Sequence, residues 1–85
     1  MNALQKAYIL AKAAYETAEA VKDWDLVEKL EIPLLDAEAA MVEWALDHAE
    51  KSGMIPAKEM ETLRSRWMFP QYNERMVDLA LRLAV

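Results

Sequence analysis

Apolar residues return every three or four positions along the start of the chain, at Leu4, Ala7, Tyr8, Ala11, Ala14, Tyr15, Ala18 and Val21. That interval is the period of an α-helix with one face turned away from water. Lys6, Lys12, Glu16 and Glu19 fall largely on the other side. Asn2-Ala3-Leu4-Gln5 opens the run with the spacing of a capping box, in which the Asn side chain accepts from an orphan N–H and the Gln side chain reaches back.

The pattern breaks at Lys22-Asp23-Trp24-Asp25. Either Asp can cap the next helix, and Asp25-Leu26-Val27-Glu28 again has capping-box spacing. A second stripe then reads Val27, Leu30, Leu34, Ala37, Met41, Trp44, His48, with a flanking row Leu35, Val42, Ala45, Ala49. Pro33 lies inside this run, where it deletes one helical hydrogen bond and clashes with the preceding turn, at a cost of about 3 kcal/mol. The apolar register passes Pro33 without a phase shift. The favoured reading is therefore one kinked helix over about 24–52; two helices split at Ile32-Pro33 are the alternative.

Ser52-Gly53 after Lys51, with Pro56 three residues on, marks the end of that helix. Pro56 suits the first turn of a third helix carrying Met60, Leu63 and Trp67 inward, and Met68-Phe69-Pro70 ends it. A fourth helix runs from Pro70 or Gln71 to Ala84 and buries Tyr72, Met76, Leu79, Ala80 and Leu83. Asp25–Lys29, Asp47–Lys51 and Asp78–Arg82 have the spacing of helical ion pairs. The predicted fold is all-α: a single domain over residues 1–85, a small compact bundle of about four helices, with a long N-terminal helical hairpin and two short C-terminal helices.

Composition agrees with that class. One Gly and three Pro leave little for β-turns, and 15 Ala among the 85 residues favour helix. The Ala-rich helix followed by Asp23-Trp24-Asp25 and another helix resembles the turn of a tetratricopeptide repeat. However, Tyr15 falls where that repeat needs a small residue and Val27 where it places Ala, and a single copy is not stable alone. The sequence is assigned to no family.

Little in the chain points to chemistry. With no Cys, a disulfide framework and a thiolate metal site are both excluded. His48 stands alone, and the residue three before it is Ala45, so the Glu-x-x-His pairs of a helical metal centre are missing. A single Gly rules out a glycine-rich phosphate loop. We expect no enzyme, no catalytic residue, no metal and no cofactor. The N-terminus lacks the apolar core of a signal peptide and no stretch spans a membrane, so the expected location is the cytoplasm, without membrane attachment.

Charge and apolar content point to a protein partner. Residues 1–50 hold 11 acids against 4 lysines, and residues 51–85 hold 6 basic residues against 4 acids, for a total of −5. Such a chain repels nucleic acid on average. A helix-turn-helix reading of the last two helices, with Arg64, Arg66 and Arg75 on phosphates and Gln71 and Asn73 on bases, is accordingly a minor alternative. Without Ala, 32 large apolar residues remain, generous for a domain this size.

The expected function is a non-catalytic protein–protein interaction module that self-associates as a homodimer. The alternative is a small acidic inhibitor or adaptor, of the kind found in phages and mobile elements, docking on a larger nucleic-acid-handling complex and imitating nucleic-acid charge. The candidate contact residues are Met54, Met60, Leu63, Arg64, Trp67, Met68, Phe69 and Tyr72, because Met, Trp and Arg are favoured at adaptable interfaces. One side of Leu63 and Trp67, beside Met68 and Phe69, is expected to stay outside the core.

Overall fold

The computed structural model describes residues 1–83, and they form four α-helices: α1 (Ala3–Ala20), α2 (Trp24–Ser52), α3 (Ala57–Arg66) and α4 (Pro70–Arg82). The fold is all-α. It divides into two units. The first spans Met1–Ala40 and holds α1 with the N-terminal part of α2; the second begins at Met41 and holds the remainder of α2 with α3 and α4.

In the first unit the expected capping box is present. The Gln5 backbone N–H donates to Asn2 Oδ1 at 2.9 Å, and the Asn2 N–H donates to Gln5 Oε1 at 2.7 Å. The end of α1 is a Schellman motif, in which the Lys22 N–H donates to the Glu19 carbonyl and the Asp23 N–H to the Ala18 carbonyl, both at 3.0 Å. This places Lys22 at φ 58°, in the left-handed region usually left to glycine. The cap of α2 is Asp23, whose side chain accepts from the Leu26 N–H and whose carbonyl accepts from Val27. The Asp25 capping box is thereby corrected: Asp25 sits in the first turn instead, where its charge suits the helix dipole.

Continuity through Pro33 holds, since α2 runs unbroken from Trp24 to Ser52. Pro33 and Lys29 are both exposed, so the Lys29 carbonyl that loses its N–H partner has water available. Of the first unit's inward rows, Tyr8 and Ala18 are buried, while Leu4, Ala11, Tyr15, Val27, Leu30 and Leu34 are half-buried.

The second unit has most of the core. Met41, Val42, Ala45, Leu46 and Ala49 of α2 are buried with Ile55, Met60, Leu63, Trp67, Met76 and Ala80. The flanking row of α2 is thus buried at Val42, Ala45 and Ala49, whereas Leu35, in the first unit, is half exposed. Gly53 at φ 72° closes α2 with a second Schellman motif, its N–H donating to the Glu50 carbonyl and that of Met54 to Ala49. Pro56 is the N-cap of α3, and Pro70 takes the first position of α4. α4 ends at Arg82, with Leu83 as its cap; the expected last turn to Ala84 lies outside the described residues. Asp78 and Arg82 pair at 3.2 Å as expected. Asp47 instead reaches Arg64 of α3 at 2.8 Å.

Candidate protein-binding surface

The eight residues singled out between Met54 and Tyr72 do not form one surface. Met60, Leu63 and Trp67 are buried at 5% exposure or less, and they are core residues of the second unit. The expectation that Leu63 and Trp67 leave a face outside is corrected. At positions 60, 63 and 67 of a helix the steps are three and four, so all three point the same way, inward. Tyr72 is half-buried, and Met54, Met68 and Phe69 are exposed. Arg64 is engaged on its own chain by Asp47 at 2.8 Å and Glu50 at 3.5 Å. The hydrogen bond it donates to Asp47, aided by Glu50, holds the guanidinium pKa above its ordinary value.

The face of α4 that a helix-turn-helix reading requires is mixed in charge. Glu74 and Asp78 alternate with Arg75 and Arg82 along a groove of about 600 Å³ that also includes Pro70 and Gln71. Arg82 is paired with Asp78. Such a surface offers phosphate as much repulsion as attraction.

His48 lies half-buried beside Trp44, with ring centroids 6.2 Å apart. Among the described residues no three His, Asp or Glu side chains gather in a way that would hold a metal ion. Every buried side-chain nitrogen and oxygen among them has a hydrogen-bond partner. No helix is long and apolar enough to cross a membrane among those residues.

Exposure of large apolar side chains is concentrated elsewhere. Ile9, Leu10, Val21, Trp24, Leu26, Ile32 and Leu35 of the first unit are all at least 40% exposed, with Leu10 at 70% and Val21 at 69%. That unit buries three described residues, Gln5, Tyr8 and Ala18, against eleven in the second. The excess of apolar surface therefore belongs to the N-terminal hairpin rather than to residues 54–72.

The signal was present in the sequence as a second row on α1. Ala3, Ala7, Leu10, Ala14, Thr17 and Val21 are all exposed and recur at the same three- and four-residue steps as the buried row. At 3.6 residues per turn the six fall within an arc of about 80°, and Leu4, Tyr8, Ala11, Tyr15 and Ala18 fall within a neighbouring arc of the same width, the two centres about 100° apart. The broad apolar face expected of α1 is thus divided lengthwise, one half covered and the other open. Thr17 does not make the open half polar, because its hydroxyl donates back to the Ala13 carbonyl at 2.8 Å. Lys12, Glu16 and Glu19 lie on the opposite side of the helix and Lys6 at the edge of the row. Lys12 Nζ sits 5.8 Å from the centre of the Tyr8 ring. The Tyr8 hydroxyl, and more weakly Glu16 and Glu38, raise its pKa.

The chain matches no family model, and neither a curated protein sequence nor a solved structure shows significant similarity to it.

Proposed function

We propose that the protein is a non-catalytic protein–protein interaction module that associates with a second copy of itself. The observation supporting this is the imbalance in the N-terminal hairpin, where seven large apolar side chains between Ile9 and Leu35 stand in water while three residues are buried. Contiguous apolar surface beyond a few hundred Å² is uncommon on a monomer and marks contact sites. A twofold dimer covers it with one interface used by both copies. The charge of −5 makes two copies repel at long range, so contact must come through a face that carries no charge. The open row of α1 is such a face.

Sedimentation equilibrium at micromolar concentration tests the reading. The expected mass is about twice the 9.8 kDa of the chain. A chain that remains a monomer up to about a millimolar, where the binding free energy is only ~4 kcal/mol, would overturn it. The same apolar surface would then serve a larger protein, the adaptor alternative.

A further inference from the structure

Burial changes abruptly along α2. None of its first 17 residues, 24–40, is buried, whereas Met41, Val42, Ala45, Leu46 and Ala49 of the next nine are. On α1, Gln5 and Tyr8 are buried near the start, and beyond them only Ala18 is. Residues 9–40, all in the first unit, therefore hold a single buried side chain, and it is a methyl group. The helical stretches 9–20 and 24–32 have twelve and nine residues. Both lie at or below the length of about 12–15 residues at which an isolated helix is marginal in water, so packing must hold them. That packing is sparse.

No other interaction replaces the missing core. The ion pairs among the described residues join Arg64 to Asp47 and Glu50, and Arg82 to Asp78, all outside 9–40. Lys12 reaches back to Tyr8 on its own helix, and Glu38 is the weakest influence on it. Pro33 removes a hydrogen bond from inside the segment and leaves the exposed Lys29 carbonyl to water. Opening also uncovers little apolar surface that is not already wet. Leu10, Val21, Trp24 and Ile32 are each more than 60% exposed in the folded chain, so only the half-buried Tyr15, Val27, Leu30 and Leu34 lose much on opening. Segments with so few buried apolar side chains open at a small fraction of the free energy of global unfolding.

We infer that residues 9–40 open and re-form as one cooperative unit while the second unit stays folded, making the turn end of the α1–α2 hairpin a locally unfolding arm. A molecule that binds the arm only in its helical form would hold it closed by mass action. Amide hydrogen exchange of the full chain, followed by NMR through a series of low urea concentrations, tests this. Amides 14–20 of α1 and 28–32 of α2 should show protection at least about a hundredfold lower than amides 45–49, and the two groups should share one weak urea dependence. Amides 45–49 should instead follow the steep dependence of global unfolding. A single class of protection with one steep dependence across all three groups would overturn the arm, as would urea responses that differ between 14–20 and 28–32. Self-association is not required for this opening. If copies cover α1, the weakly protected class becomes better protected as chain concentration rises; if they do not, its protection is constant, and in both cases the class is present.

Discussion

Two residues in the left-handed backbone region do the same job with unequal fitness. Lys22 at φ 58° and Gly53 at φ 72° each occupy the position after a helix C-cap, held by the same pair of hydrogen bonds. A side chain there brings Cβ against the backbone at about 1 kcal/mol, which glycine avoids. Lys22→Gly is expected to raise stability by about 0.5–1 kcal/mol, and Gly53→Ala to lower it by about 1 kcal/mol. No atom lies within 4 Å of where a methyl added at Gly53 would project, so the loss would come from the backbone alone. Urea midpoints at constant m-value would check both. The Gly53 stop was legible because glycine marks such a position; Lys22 carries no such mark, and its conformation follows from the bonds of Lys22 and Asp23 to α1. A third expectation concerns Lys12. Its folded pKa lies above the ordinary 10.5, so its contact with Tyr8 contributes fully below that value and is lost as pH rises through the folded pKa. Lys12→Met should remove that part of the alkaline loss of stability, seen by comparing melting curves across pH 10 to 12.

At the level of the helices, the period of the apolar pattern was sufficient to set element number and, to within a residue or two, the boundaries of α1, α2, α3 and α4. The pattern also carried α2 through Pro33, because a helix break would have shifted the phase of Leu30, Leu34, Ala37 and Met41. Pro33→Ala is expected to stabilise the protein by about 1–2 kcal/mol, less than the full cost of an internal proline because alanine also frees the unfolded chain. The melting temperature should rise by roughly 5–10 °C. A loss of stability would show that packing depends on the proline. The candidate surface was less legible. Met and Trp between Met54 and Tyr72 are equally apt for a small core and for an interface, and spacing alone does not decide which. Met60, Leu63 and Trp67 went inward because α3 has no other large apolar residues to bury. On α1 the open and covered rows have the same period, so the sequence displays one broad face where the structure has two.

For the whole molecule, the distribution of apolar surface is the physical basis of the functional reading. The second unit buries eleven residues and leaves three large apolar side chains, Met54, Met68 and Phe69, at least half exposed, a number ordinary for a protein surface. The first unit buries three and leaves a continuous row on α1, with Trp24, Ile32 and Leu35 also in water on α2. A net charge of −5 keeps copies apart except where a face is uncharged. The comparison of two charged substitutions separates the two surfaces. Leu10→Glu places a charge on the open row while keeping a good helix former, and Phe69→Asp places one on the C-terminal segment at the N-cap of α4, a position that accepts Asp well. Sedimentation equilibrium of both variants at one concentration at which the wild type is dimeric is the most direct test. Self-association through the open row of α1 requires a mass near 9.8 kDa for Leu10→Glu and near twice that for Phe69→Asp, with helical circular dichroism unchanged in both. A dimeric Leu10→Glu beside a monomeric Phe69→Asp would contradict it.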